Sequence, residues 1–452
     1  PLSQARLALR QSKHAGENKM AADLLADFPL KQAVRDDIVE TAHAIVSQSR
    51  EMSAERGTLD AFMQEFGLSN QEGVALMCLA EALLRIPNAE TQDALIAEKI
   101  ASGNWADHRG SSHDLFVNAG VWALMLTGGV IKLDKNITHD AASWTKSAVA
   151  RMSGPVIRKA VMQAMRIMGH QFVFGRTIKE ALKQRSKRDA DSRLFSFDML
   201  GEGARTAADA ERYQSLYRQV IQDVGHAIKD EGDDIANRSS VSIKLSALHP
   251  RYEAVKKHRV MTELLPRVKE LALLAKEYKM QLTIDAEEAD RLDISLDLFE
   301  SLARDPDLDG WQGLGLVVQA YQKRGPALID WLIALAEETG RHFPTRLVKG
   351  AYWDSEIKHT QELGLPDYPV WTRKVTTDLC YLDCARRMLA APHAFYPQFA
   401  THNAHSLAAV ANMGKGAVME FQRLHGMGDL LYKSAAKVIK DMPNVRVYAP
   451  VG

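Results

Sequence analysis

Residues 345–353 read "TRLVKGAYW". The run opens as a β-strand, with Leu347 and Val348 apolar and Arg346 and Lys349 beside them. It halts at Gly350 and then shows two rings with polar tips, Tyr352 and Trp353. A strand that only fills a core has no use for two cations and two such rings at its end, so something is held there. Short β-rich runs recur on either side: "LFSFDML" (194–200), "SVSIKLSA" (240–247), "QLTIDAEE" (281–288), "GLGLVVQAY" (313–321), "PQFATHN" (397–403), "VMEFQRLHG" (418–426) and "VRVYAPVG" (445–452). Helical segments such as "MTELLPRVKELALLAKEYK" (261–279) and "TTDLCYLDCARRMLAA" (376–391) separate most of them. Eight strands alternating with helices predict an α/β fold, a (β/α)8 TIM-like barrel. The last two connections look short and irregular, and the final helix is absent because the chain stops at Gly452.

Upstream, residues 1–190 read as helices. "SNQEGVALMCLAEALLRI" (69–86) opens with a capping box, Ser69 with Glu72, and continues at helical apolar spacing. "GPVIRKAVMQAMRIMGHQFVFG" (154–175) repeats that pattern. The organisation expected is an N-terminal helical arm (1–60), an all-helical domain (61–190) for packing or homo-oligomer formation, and a barrel (191–452). The apolar stretch 115–131 carries Asn118, Gly120 and the pair Gly128–Gly129, and is expected to be a buried helix hairpin rather than a membrane span.

Composition excludes other classes. Of 452 residues, 46% are hydrophobic, enough for a large core. Lys+Arg and Asp+Glu are 57 each, so overall charge gives no reason to expect a nucleic-acid partner. The three cysteines, Cys78, Cys380 and Cys384, are odd in number and form no Cys-x-x-Cys, which points to reduced thiols of the cytoplasm. No signal peptide and no initiating Met open the chain, so a piece of a longer protein is expected.

The active site of such a barrel lies at the C-terminal ends of its strands. The residues there are Glu202; Lys244; Asp285, Glu287 and Glu288; Gln319 and Tyr321; Arg346 to Trp353; Thr401, His402 and Asn403; Glu420, Gln422 and "HGMG" (425–428); and Tyr448. Each alone has a plain reading as a rim residue, a hydrogen-bonded histidine or a core ring. "HGMG" serves equally as a turn or as a phosphate loop. No paired histidines or carboxylate triad point to a metal. All eight ends being polar or aromatic together favours a cofactor-sized site. Gln319, Asn403, Arg346, Lys349, Lys374 and Trp353 could hold a large planar cofactor, while the lack of Gly-x-Gly-x-x-Gly after a strand argues against a Rossmann site. Two alternatives stay open: a lyase with Lys244 as Schiff-base amine, and a non-catalytic scaffold.

The strand-end motifs "SIKLSALHPRY", "LTIDAEEADRL", "RLVKGAYWDSEIK", "PQFATHNAHSLAA", "EFQRLHGMGDLLY" and "VYAPVG" closely resemble the proline dehydrogenase part of the bacterial proline utilization A family. "SNQEGVALMCLAEALLRIPNAETQDALIAEKI" and "VIRKAVMQAMRIMGHQFVFG" are also similar to that family rather than to stand-alone proline dehydrogenases. The resemblance implies a distorted barrel with FAD at its mouth, oxidation of L-proline to Δ1-pyrroline-5-carboxylate by hydride transfer to flavin N5, and electrons passing to a membrane quinone. It implies a cytoplasmic protein, peripheral at the inner membrane during turnover, and a later aldehyde dehydrogenase domain that uses NAD. By motif position, Lys244, Asp285, Tyr352, Leu424 and Tyr448 match the family's proline pocket, and Glu202 its gate. Gln319, Arg346, Val348, Lys349, Gly350, Ala351, Trp353, Thr372, Lys374, Thr401, His402, Asn403 and Glu420 match its flavin contacts, with Arg346 against N5. Two departures stand out. The family's adjacent arginines that grip the proline carboxylate follow the eighth strand, beyond Gly452. The segment "NMGKGAVMEF" (412–421) is shorter than the family pattern.

Overall fold

The computed structural model describes residues 2–28, 30–54, 173–187 and 194–452. Eight strands close into a barrel: β1 (Phe195–Met199), β2 (Ser240–Ile243), β3 (Leu282–Ile284), β4 (Leu314–Gln319), β5 (Phe343–Val348), β6 (Phe395–Ala400), β7 (Glu420–Leu424) and β8 (Asn444–Val451). Neighbours pair in parallel throughout, and β8 returns to β1. Each of the eight runs therefore yields one strand. Most runs extend past their strand because their polar ends leave the ladder and become loops.

Three described helices precede the barrel: α1 (Leu2–Ser12), α2 (Glu17–Asp27) and α3 (Gln32–Ala54); α4 (Ile178–Ser186) leads into β1. Around the barrel lie α5 (Ala207–Ala227), α6 (Leu265–Glu277), α7 (Leu292–Ala303), α8 (Gly325–Thr339), α9 (Trp353–Glu362), α10 (Lys374–Ala390), α11 (Ala404–Met413) and α12 (Asp429–Val438). The last two connections are regular ten-residue helices, not the irregular segments expected. Local chemistry explains both. Asn403 caps α11 by accepting from the Ser406 amide at 2.9 Å. Gly428, at φ +70°, turns the chain into α12, so "HGMG" is a turn ahead of a helix.

Side chains alternate along each strand. One set, including Phe197, Val241, Ile243, Leu316, Val318, Leu347, Phe399 and Phe421, is apolar and buried against the helices. Burying each such side chain stabilises the fold by about 1.5–3 kcal/mol. The other set faces the barrel axis and is polar: Ser196, Asp198, Ser242, Asp285, Gln319, Arg346, Gln398, Glu420, Gln422 and Arg446, all buried. Barrel interiors of this kind are ordinarily filled by branched apolar residues. Polar ones must be hydrogen-bonded to each other.

The first helices pack on the barrel. The Arg6 guanidinium lies 5.4 Å from the Trp331 ring of α8 and 3.1 Å from Asp297 of α7. Lys13 pairs with Asp290 at 2.6 Å. The Glu17 carboxylate accepts from the Thr372 hydroxyl at 2.7 Å. Buried Lys323 donates to the Ala15 carbonyl at 2.8 Å and to Asp367 at 2.7 Å. One compact unit comprises Pro1–Glu51 and Val173–Gly452, and a second comprises Met52–Phe172. Residues 173–187, grouped above with the helical domain, thus lie with the barrel. The capping box at 69–72 and the apolar stretch 115–131 lie outside the described residues. Among the described residues no helix is long and apolar enough to cross a membrane.

Candidate active site

A cavity of about 510 Å³ opens at the C-terminal ends of the strands, within the size range of small-molecule and cofactor sites. Apolar walls come from Val317, Val348, Ala351 and Leu424. Polar groups come from Lys244, Asp285, Gln319, Arg346, Lys349, Tyr352, Thr401, His402, Asn403 and Tyr448, and Gly350 completes the rim.

The floor is an ion-pair network carried by inward residues of β1, β2, β5, β7 and β8 and by Lys244 and Asp285, which directly follow β2 and β3. Arg346 donates to Asp285 at 2.8 Å, Gln422 at 2.6 Å, Ser196 at 2.9 Å and Ser242 at 3.1 Å, and its guanidinium lies 4.8 Å from the Tyr448 ring. So committed, Arg346 is a fixed charge under the cavity. The Tyr448 hydroxyl donates to the other Asp285 oxygen at 2.8 Å. Lys244 donates to Asp198 at 2.7 Å and to Asp285 at 3.4 Å. Burial alone would lower the Lys244 pKa, but Asp285 and Asp198 outweigh it and hold the ammonium well above the ordinary lysine range. Burial pushes the Asp198 carboxyl up against the pull of Lys244. Burial and then Asp285 push the Tyr448 phenol well up. At neutral pH the tyrosine is a neutral donor and the lysine a cation.

The walls are set by turn chemistry. Gly350 has φ +138°, and a Cβ there would fall 2.4 Å from the Tyr321 ring. The Tyr321 amide donates to the Lys349 carbonyl at 2.6 Å, which fixes the bend. Lys349 and Lys374 grip Asp378 of α10 at 2.5 and 2.6 Å. His402 Nε2 accepts from the Leu424 amide at 3.0 Å, so that nitrogen carries no proton. Burial and then Arg423 lower the His402 pKa and keep the ring neutral. The Tyr352 hydroxyl reaches Glu202 at 3.3 Å at the entrance.

Fourteen of the nineteen residues singled out from the sequence line this cavity. Glu202, Trp353, Thr372, Lys374 and Glu420 do not. Trp353 is 41% exposed and donates to the Trp371 carbonyl at 2.8 Å. Thr372 faces Glu17 of the arm. Glu420 stands at the start of β7, fully buried, against Arg446 at 2.7 Å, Tyr396 at 3.0 Å, Gln398 at 2.9 Å and Gln422 at 2.7 Å. It belongs to the barrel's lower layer, and the cavity does not reach it. Sequence reasoning passed over Asp198. The signal was there: "FSFDM" alternates ring and polar residue, which marks one face of a buried strand as polar.

A closed parallel barrel with a charged, ring-walled cavity at the strand ends defines an enzyme of the (β/α)8 class. The family described as proline dehydrogenase matches residues 181–452, and this chain belongs to it. A second family, described as the DNA-binding domain of proline dehydrogenase, matches residues 58–172. This removes the ground for expecting no nucleic-acid partner, because a whole-chain charge balance averages over local segments. Among similar proteins are bifunctional protein PutA of Escherichia coli K12, 49% identical over all of this chain and 35% of its own length, and that of Rhizobium meliloti, 47% identical over all of this chain and 36% of its own. The chain thus spans about a third of the length of these two curated relatives. Proline dehydrogenase 1 of Bacillus subtilis is 25% identical over 64% of the chain. A crystal structure of Bradyrhizobium japonicum proline utilization A, mutant D779W, superposes with a TM-score of 0.73 at 43% identity, covering 97% of this chain and 44% of that one.

Proposed function

We propose that this chain is the proline-oxidising part of a longer bifunctional enzyme, converting L-proline to Δ1-pyrroline-5-carboxylate with FAD as cofactor and a membrane quinone as final acceptor. The observation that carries the proposal is the cavity floor of a proline dehydrogenase family member. Two cations, two carboxylates and the Tyr448 phenol meet there beneath apolar walls. The donor set also suits a flavin. Lys349, the Thr401 hydroxyl, the neutral His402 ring and the Asn403 and Gln319 amides offer polar partners around a cavity with apolar sides. When bound, FAD supplies the two-electron acceptor for hydride from the substrate carbon next to nitrogen.

The protein's own residues bind, orient and exclude water. Tyr448, Tyr352 and Leu424 bracket an apolar five-membered ring. Asp285 receives the ring ammonium. Arg346, locked by its partners, lends fixed positive charge to a site that gains negative charge during the reaction. Positioning therefore contributes more than acid–base chemistry. The lyase alternative needs a neutral amine at Lys244, and the two carboxylates beside it keep that amine protonated. Glu202 acts as an entrance gate through Tyr352. Thr372, Lys374 and Trp353 support the wall through Glu17, Asp378 and Trp371. The remaining proposals are an NAD-dependent aldehyde dehydrogenase domain further along the full-length protein, cytoplasmic residence with peripheral attachment to the inner membrane, and an organisation into arm, helical domain and barrel. The test is direct. The FAD-loaded protein is yellow and bleaches anaerobically on adding L-proline; a protein that takes up no flavin, or whose flavin L-proline leaves oxidised, overturns the proposal.

A further inference from the structure

Asp198 lies behind the cavity wall, not on it. It is the penultimate residue of β1, 4% exposed, on the interior face shared with Ser196. Its contact with Lys244, at 2.7 Å, is shorter than the 3.4 Å from Lys244 to Asp285. Lys244 therefore belongs first to a carboxylate that no ligand in the cavity touches. Asp285, by contrast, is shared between Arg346, Tyr448 and Lys244 and also faces the cavity.

The groups facing Lys244 come from several elements. Asp198 is on β1, Asp285 follows β3, Arg346 is on β5, Tyr352 lies beyond β5, Tyr448 is on β8, and the Tyr217 hydroxyl of α5 accepts from the Lys244 amide at 3.1 Å. The three tyrosines stay neutral, since burial raises each phenol. The Lys244 ammonium at 2.7 Å opposes the effect of burial on Asp198 and pairs with it as a carboxylate, so two carboxylates and two cations remain and their formal charges cancel. Without Asp198 the floor would carry one surplus positive charge in a low-dielectric setting, where an unbalanced charge acts strongly on any ligand.

Resting on the proline reading above, we propose that Asp198 is a specificity-determining residue: by neutralising Lys244 from behind, it makes the site select a cyclic amino acid in its zwitterionic form over a cyclic carboxylate of the same shape that lacks the amine. Asp198 acts by its charge, which offsets that of Lys244 at 2.7 Å, and touches no substrate. The charge of the floor, not its shape, decides between the two ligands. Removing the Asp198 charge makes the floor net positive and favours the anion. Removing the Lys244 charge makes it net negative and repels the anion. Removing both restores balance.

The experiment uses the flavin-loaded full-length protein and two probes with one ring, cyclopentanecarboxylate and 1-aminocyclopentanecarboxylate. Neither carries the ring nitrogen whose neighbouring C–H is oxidised. Dissociation constants are read from perturbation of the flavin spectrum, so no turnover is needed. The quantity is the ratio of the anion's constant to the zwitterion's. In Asp198→Asn that ratio falls about tenfold, the effect of one modest charge interaction. In Lys244→Met it rises by a similar factor. In the double variant it returns to within about threefold of wild type, because two opposite changes in the net charge of the floor add. A ratio unchanged in Asp198→Asn, or a double variant that stays with Lys244→Met, overturns the inference. Should Asp198→Asn fail to fold, the double variant against Lys244→Met decides alone. A wild type that L-proline does not bleach removes the proline reading and this inference with it; a bleaching wild type with an unmoved ratio removes the inference only.

Discussion

Two layers of the barrel interior hold buried ion pairs, and they differ in what surrounds them. In the lower layer Glu420 and Arg446 are both fully buried and meet through two contacts, at 2.7 and 2.9 Å. Tyr396, Gln398 and Gln422 fill the carboxylate, while the Arg238 and Ala236 carbonyls at 2.6 and 2.7 Å fill the guanidinium. Neither Glu420 nor Arg446 lines the cavity above, and Gln422 bridges from Glu420 to Arg346 at the cavity floor. In the upper layer Asp198, Lys244, Asp285 and Arg346 are just as well paired, but Lys244, Asp285 and Arg346 also line an open cavity. Similar residue types thus serve as internal closure below and as a ligand-facing surface above. What separates the two is whether one side of the network is left for something else to fill.

The largest effect that sharpens this contrast comes from breaking the lower pair. Glu420→Gln leaves Arg446 buried and unbalanced and should cost about 3–5 kcal/mol of stability, read as a lower denaturation midpoint. The joint change Glu420→Leu with Arg446→Met should recover most of that loss. An unchanged midpoint in Glu420→Gln would place the lower layer's value elsewhere. In the upper layer the loss should fall on function. Asp285→Asn removes the shared acceptor of Arg346, Tyr448 and Lys244 and should lower kcat/KM for L-proline by about 100-fold, about 2.7 kcal/mol, with a much smaller change in denaturation midpoint. A stability loss equal to that of Glu420→Gln would erase the contrast.

Smaller effects follow at the rim. Gly350→Ala places a methyl against Tyr321 in a strained backbone region, which costs about 1–3 kcal/mol. Flavin affinity should fall by about tenfold or more in a titration of the flavin-free protein. Tyr352→Phe loses only a 3.3 Å contact at the exposed entrance, so kcat/KM should change less than about threefold. The smallest expected change is a flat one. The Lys244 pKa is raised on folding, so the ammonium's contribution to stability is complete below the unfolded value of about 10.4 and is lost only as pH rises through the still higher folded value. Between about pH 6 and 9 the profile of kcat/KM should therefore show no break that disappears in Lys244→Met.

Much of this was legible in the chain. The eight strands announce themselves because buried parallel strands read as short apolar runs, and polar residues at the run ends mark the catalytic mouth. Depth along a strand was not legible. Glu420 and Leu424 share one face of β7, four residues and roughly 13 Å apart, so only the pairing register tells the lower layer from the cavity rim. Asp198 was hidden for the opposite reason. It sits inside a run that looks like core, and its partner Lys244 is 46 residues away in sequence. Helices α11 and α12 were obscured because Asn403 and Gly428 each serve as a helix start and as part of the strand-end loop.

The docked N-terminal helices carry a consequence for how the chain is made. Arg6 meets its partner Asp297 across 291 residues, and Glu17 meets Thr372 across 355. At ribosomal rates of about 5–20 residues per second, Glu17 waits roughly 18–70 seconds before its partner is synthesised. For that interval the amphipathic face of the arm has no barrel to rest on. The arm is thus made well before the surface it docks on, and the interval before docking is when a holding chaperone would have the most to grip.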